Sequence, residues 1–333
     1  MIDQKLLEQA HRVLAKAPIW DNHACMPLRA GDGDFLPQLQ RARANGVSTI
    51  SLNIGCAEQD AAAHVKVLAW FRRWLGEHSA DYRLIRSPED VVLARTEGRL
   101  GVFFDIEGAR GIDDQISLIS MYYELGVRWM LIAYNAENLA GYGCYDKHDA
   151  GLKPFGRDMV AEMNRVGMTV CCSHTGERTA RDAMMASTRP VIFSHSNCAA
   201  LHSHNRNISD QMIRDCAQQG GVIGINGIGD FLCPPDANLI EAYVQHVDHV
   251  AQLVGPAHVG LSLDYCYDRQ ELIDYLTTMK ASFPEGFSTE IRMVAPDDLP
   301  EIVARLIGLG YEGEALNMIL GENWMRVAKA NWQ

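Results

Sequence analysis

The sequence predicts an α/β fold of the (β/α)8 TIM-barrel class, and three observations lead there. Eight short runs are apolar at nearly every position, stretches of helical periodicity separate them, and ionisable side chains stand at their C-terminal ends. Near-continuous apolarity marks strands buried on both faces, which a parallel sheet covered by helices requires. Eight such runs in alternation favour a closed barrel over a doubly wound sheet. No Gly-rich phosphate-binding fingerprint follows the first run, which weakens a nucleotide-binding alternative.

In chain order, residues 1–12 form an amphipathic helical pattern without the apolar core of a signal peptide. The candidate strands are 17–22, 47–53, 100–106, 127–133, 168–172, 191–194, 222–226 and 259–263. Helical patterns fall at 58–78, with Val65, Leu68, Phe71 and Leu75 on one face, and at 112–125, 155–166, 176–187, 209–218 and 239–253; Ser209 is a candidate N-cap. Residues 268–300 fit no strand-helix unit and read as an insertion or lid. Helices at 299–309 and 312–320 and a tail at 321–332 complete the chain. With no linker, repeat or low-complexity segment, 1–333 reads as a single domain.

Composition narrows the class of protein. The 333 residues are 47% hydrophobic and 22% charged, with 12 prolines, as expected of an ordinary globular protein. A net charge of -12 without basic clusters argues against nucleic acid or an anionic membrane as partner. No apolar run approaches the length of a membrane span, so the expected location is cytoplasmic. Nine cysteines without framework spacing read as reduced thiols, and Cys171 and Cys172 should point to opposite faces of a strand. A homodimer is compatible with the sequence.

The strand ends carry the chemistry. Two β-rich runs end in Ser-His, at Ser173-His174 and Ser194-His195, so two imidazoles should project from the same ends of neighbouring strands. That arrangement suits zinc or a similar borderline metal at a barrel's C-terminal rim. His23, Glu107, Tyr134 and Asp264 follow other strands. Singly, Glu107 and Asp264 read as salt-bridged carboxylates; jointly, with three histidines, they fit a one- or two-metal hydrolase that activates water.

Specific motifs then add a resemblance. The chain carries Trp-Asp-Asn-His-Ala-Cys-Met-Pro at 20–27, Asp-Ile-Glu-Gly at 105–108, Leu-Gly-Val-Arg-Trp-Met at 125–130, Ser-His-Thr at 173–175, Pro-Val-Ile-Phe-Ser-His-Ser at 190–196, Asn-Arg-Asn-Ile-Ser-Asp at 205–210, Val-Gly-Leu-Ser-Leu-Asp at 259–264 and Leu-Gly-Glu-Asn-Trp-Met-Arg-Val at 320–327. In this order they resemble the membrane (renal) dipeptidase family of zinc peptidases, amidohydrolase-like barrels, over nearly the whole chain. The resemblance implies that Glu107 bridges two zinc ions, that His174 and His195 hold one ion, and that His23 holds the other. It implies that Arg206, which alone would read as a surface arginine, pairs with a substrate carboxylate. Asp264 becomes the acid beside the bridging water.

Two departures set this chain apart from the family pattern. Where the pattern has His-x-Asp, this chain has His23-Ala24-Cys25, so a thiol replaces a carboxylate ligand. Tyr134 stands where the pattern has a histidine that stabilises an oxyanion; a phenol can donate there but carries no charge. The expectation is a dipeptidase-like hydrolase that attacks the amide of a small carboxylate-bearing peptide with metal-activated water. It holds one or two zinc ions, with a single ion at Glu107, His174 and His195 favoured. The alternatives are another small-amide hydrolase on the same barrel and a low-activity or non-catalytic binding protein.

Overall fold

The computed structural model describes residues 3–56, 59–278 and 290–333. The first half of the chain forms α1 (Gln4–Leu14), β1 (Ile19–Cys25), α2 (Leu39–Ala44), β2 (Val47–Cys56), α3 (Ala61–Glu77), β3 (Tyr82–Leu84), α4 (Pro88–Thr96), β4 (Leu100–Glu107), α5 (Leu118–Glu124), β5 (Val127–Leu131) and α6 (Pro154–Val166). The second forms β6 (Thr169–Cys171), α7 (Glu177–Ala186), α8 (Asp210–Gln218), β7 (Ile223–Asn226), α9 (Gly229–Leu232), α10 (Leu239–Val254), β8 (Val259–Ser262), β9 (Tyr265–Cys266), α11 (Arg269–Thr278), α12 (Leu299–Gly308), α13 (Gly313–Asn317) and α14 (Asn323–Asn331). Side-chain caps start several helices: Asp60 accepts from the Ala63 amide, Ser87 from Asp90, Ser209 from Met212 and Asn238 from Glu241.

The strands close into a parallel ring. β6, β5, β4, β2, β1 and β9 are bonded in that order, β3 flanks the start of β4, and β7 pairs with β8. Residues 191–194 fill the space between β6 and β7 with isolated bridges: the Ile192 amide donates to Val170 O at 3.0 Å and the Phe193 amide to Val222 O at 3.0 Å. Between β8 and β1 the join is made by the Leu263 amide on Asp21 Oδ1, 2.8 Å, and the Asp264 amide on His23 O, 3.0 Å. The barrel thus has eight staves: β1, β2, β4, β5, β6, residues 191–194, β7 and β8.

Alternation along each strand divides the apolar residues between two layers. Trp20, Phe103, Trp129, Leu131, Cys171 and Ile192 form the cluster inside the ring, whereas Ile19, Phe104, Met130, Cys172 and Phe193 pack outward under the helices. Each such burial contributes about 1.5–3 kcal/mol. Cys171 and Cys172 do face opposite ways, and all nine cysteines are free. α14 closes the N-terminal end: Trp324 donates to Leu261 O at 3.1 Å, and Trp332 packs on Trp20 and Phe103.

The structure corrects several sequence expectations. The first strand runs on to Cys25, so His23 and Cys25 lie on it rather than past it. The 58–78 helix begins at Ala61, Glu58 being outside the described residues. Its Val65 is 38% exposed, because the buried face is instead His64, Val67, Leu68, Phe71, Trp74 and Leu75. The 112–125 helix shrinks to α5: a short 3-10 turn ends at Ile112, and Asp113, at φ 46°, breaks the helical path. Within 268–300, residues 279–289 lie outside the described residues, but the described part opens as the regular helix α11. The 312–320 helix ends at Asn317 and passes through a π turn, Met318–Glu322, where Gly321 approaches so closely that a Cβ would lie 1.8 Å from Pro18 O. The expected tail is helix α14. β3, α2 and α4 were not expected at all.

Candidate metal centre

The C-terminal ends of the staves bring the polar residues together. β1 carries His23 and Cys25 two residues apart, hence on one face. Glu107 is the last residue of β4. His174 and Asp264 follow β6 and β8 in left-handed backbone, φ 60° and 53°, and Asn135 after β5 has φ 61°. Non-glycine residues adopt this region at a cost of order 1 kcal/mol or more. Three of the four such residues therefore cluster at this rim.

The ligand atoms converge. His174 Nε2 lies 2.8 Å from His195 Nε2 and 3.4 Å from Glu107 Oε1, and His195 Nε2 is 3.2 Å from the same oxygen. His23 Nε2 is 3.5 Å from Glu107 Oε1 and 3.3 Å from Asp264 Oδ1. Cys25 Sγ sits 3.6 Å from both His23 Nε2 and Asp264 Oδ1. Two overlapping donor sets result, His23–Glu107–His195 and His23–Cys25–Asp264, with His174 against the first.

Neighbouring groups fix which ring nitrogen is free. His174 Nδ1 donates to Asn135 Oδ1 at 2.7 Å, His23 Nδ1 to Asp105 at 3.3 Å, and His195 Nδ1 to Ser194 Oγ at 2.8 Å. Ser194 directs its own proton to Ser173, which leaves it an acceptor. All three Nε2 lone pairs are thus aimed at one small volume beside a carboxylate. Two imidazole lone pairs 2.8 Å apart repel unless a cation or proton lies between them. The donor types and the fixed tautomers fit zinc.

Burial shapes the charges. His174 and His195 are held well below the usual histidine range, mainly by burial, and so are neutral ligands. Burial acts the same way on His23, but Asp105 and Glu107 outweigh it and raise that ring. Glu107 is pushed up to about 8, chiefly by burial. The Cys25 thiol is raised by its hydrogen bond with Cys266 and by burial. A divalent cation would oppose the upward shifts of His23, Glu107 and Cys25 and reinforce the neutral state of His174 and His195.

Arg206 is 2% exposed, not a surface residue; its Nη2 donates to His195 O at 3.1 Å, its guanidinium lies over Phe231, and its Nε has no partner among the described residues. Tyr134 stacks on His174, centroids 4.1 Å apart, and its phenol lies near Tyr275 of α11. The cavity over the donors is lined by Met26, Leu28, Ile228, Phe231, Leu272 and Tyr275. Arg29 ties α11 down through Asp268 at 2.7 Å and through Glu271.

Sequence reasoning missed Asp105, Asn135, Asn226 and Cys266. Asp105 was signalled by its two-residue spacing from Glu107, and Asn135 by the readiness of Asn to adopt left-handed backbone. Asn226, which donates to Asp264 Oδ2 at 2.7 Å, stands at the end of an expected strand. Cys266 carried no signal beyond proximity to a ligand, whereas Ser194 belongs to one of the two Ser-His strand ends.

A parallel eight-stave barrel with metal-type donors at its C-terminal rim defines the class: a metal-hydrolase barrel. The profile of the membrane dipeptidase family, peptidase family M19, matches residues 7–332, and the chain belongs to that family. An uncharacterized dipeptidase of Schizosaccharomyces pombe is 32% identical over 201 residues, 58% of this chain and 48% of the relative. The chain spans about half the length of the curated relatives it matches. Among solved structures, an amidohydrolase from Pseudomonas aeruginosa is similar at TM-score 0.88 and 25% identity, covering 97% of this chain and 99% of that one. A metallopeptidase from Rhodobacter sphaeroides, bound to a phosphinate mimic of the dipeptide L-Ala-D-Ala, shares the fold at TM-score 0.77 and 19% identity, covering 95% and 99%. No helix among the described residues is long and apolar enough to cross a membrane.

Proposed function

We propose that this chain, acting as one domain, is a zinc-dependent dipeptidase that hydrolyses the amide bond of small peptides with a free carboxylate. The observation that carries this reading is the convergence of three tautomer-fixed imidazoles on Glu107. Glu107, His174 and His195 hold the tighter ion, and His23, Cys25 and Asp264 form the second, weaker set. When bound, zinc acts as a Lewis acid toward the amide carbonyl and lowers the pKa of water. The chain's own residues do the rest. Arg206, with an unpartnered Nε in a buried setting, receives the substrate carboxylate as a bidentate fork. Asp264, oriented by Asn226, accepts a proton from water and delivers it to the leaving amine. Tyr134, stacked on His174, is placed to donate to the developing oxyanion. The apolar wall from Met26 to Tyr275 excludes water around the substrate. Nine free thiols accord with a cytoplasmic setting.

The test is metal content together with a dipeptide panel. The purified wild-type protein should carry zinc and cleave free-acid dipeptides, and the double variant His174→Ala/His195→Ala should lose both metal and turnover. A double variant that keeps its full zinc complement sinks the site; a zinc-loaded wild type inert to every dipeptide sinks the activity.

A further inference from the structure

We infer that Cys25 and Cys266 form a modification site: a dithiol that a peroxide-class oxidant closes to a disulfide, withdrawing Cys25 from the metal set. β1 and β9 are parallel neighbours, and Cys25 is the in-register partner of Cys266. Adjacent strands lie about 4.8 Å apart, within the roughly 4.4–6.8 Å between Cα atoms that a disulfide spans. In-register residues of neighbouring strands point to the same face, and both side chains line the cavity over the donor atoms. Access singles them out as well: six of the nine cysteines are buried, and of the three that are not, two are this pair. The third, Cys144, has its Sγ on Asn135 Oδ1 at 3.6 Å.

The chemistry balances. A peroxide ROOH takes both thiol protons, its O–O bond breaks to give ROH and water, and the two sulfurs, each oxidised by one electron, join as Cys25–S–S–Cys266. The ladder holds the two backbones in register as neighbours. The second step rests on the proposed metal reading. Cys25 Sγ stands 3.6 Å from His23 Nε2 and from Asp264 Oδ1, and a sulfur bonded to Cys266 is no longer a thiolate donor. Oxidation and metal binding therefore compete for one atom: zinc on Cys25 shields the pair, and the disulfide weakens the His23–Cys25–Asp264 set.

The experiment treats the full-length protein with hydrogen peroxide in two forms, chelator-stripped and loaded with excess zinc. Free thiols are titrated, and peptides are mapped by mass spectrometry without reduction. Stripped wild type should lose two thiols, yield a linked peptide pair containing residues 25 and 266, and recover both thiols with dithiothreitol. Zinc should slow this loss at least tenfold. Cys266→Ser should give no linked pair, with Cys25 oxidised singly or capped by added thiol. Absence of the linked pair from stripped wild type, with the fold intact by circular dichroism, overturns the dithiol. A linked pair that forms equally fast with zinc present overturns the competition and removes Cys25 from the ligands, while the dithiol and the Glu107–His174–His195 centre stand. A protein that binds no zinc yet forms the pair overturns the metal reading alone.

Discussion

At the scale of single residues, the most informative departure from the family pattern is Cys25. A thiolate is a good zinc ligand at about 2.3 Å but competes poorly for harder ions. Here Cys25 is also held protonated, first by Cys266 and then by burial, so zinc must displace a proton whose removal is unfavourable. The expected consequence is one tightly bound ion in the wild type, at Glu107, His174 and His195. Cys25→Asp, with an ordinary carboxylate beside His23, should raise zinc content from about one ion toward two, and dipeptide turnover with it. Elemental analysis after exhaustive dialysis decides the point; wild type that already retains two ions contradicts it. Arg206 illustrates the opposite lesson. Nothing in its local sequence distinguishes it from an exposed arginine, and only the family pattern marked it; its burial against Phe231 arises from residues 25 positions away in the chain.

At the scale of elements, strands were legible wherever both faces are apolar, because period-independent apolarity needs no knowledge of partners. The eight staves were all anticipated, including residues 191–194, which pair through isolated bridges only. Elements held by few residues escaped. β3 has three residues and α2 six, and α14 reads as a tail in the sequence because its apolar side, Trp324, Val327 and Ala328, makes sense only against the barrel end that it covers. His246 on α10 shows how such junctions are fastened. Its Nδ1 accepts from the Cys198 amide at 3.0 Å and its Nε2 donates to Leu232 O at 3.0 Å, an arrangement that only the neutral ring supports. Burial pulls its pKa down from 6.5 to about 4. Between those values the unfolded chain takes up a proton that the folded chain refuses, so stability falls as pH drops from 6.5 and levels off below 4. At pH 4.5 this amounts to a loss of about 2 kcal/mol relative to neutral pH. Unfolding free energies from urea titrations of metal-free wild type and His246→Gln should converge by that amount between pH 7 and 4.5. Parallel declines in the two proteins would show that the ring does not govern the acid sensitivity of this junction.

At the scale of the molecule, the barrel separates a stabilising end from a chemical end. Trp324 and Trp332 of the C-terminal segment plug one mouth with large apolar surfaces, while the histidines, Glu107 and Asp264 gather at the other, reached from five different staves. An ion held by Glu107, His174 and His195 would tie together β4, β6 and residues 191–194, and one held by His23, Cys25 and Asp264 would tie β1 to β8, so metal binding would be linked to folding of the ring. At zinc concentrations about 100-fold above the dissociation constant, that linkage adds about 2.7 kcal/mol. Spread over the unfolding entropy of a chain this long, it should raise Tm by about 4 °C. Trp324→Ala should lower Tm by a similar or greater amount, about 5 °C, through the cavity it leaves and the loss of its bond to Leu261 O. Because the two sites lie at opposite ends of the barrel, their effects should add. Thermal melts of four samples measure this: wild type and Trp324→Ala, each stripped and zinc-loaded. The zinc-induced rise should be the same in both proteins and absent from His174→Ala/His195→Ala. A rise that shrinks in Trp324→Ala would mean that the plug also sets the geometry of the metal donors, and that the two ends of this barrel are mechanically coupled rather than independent.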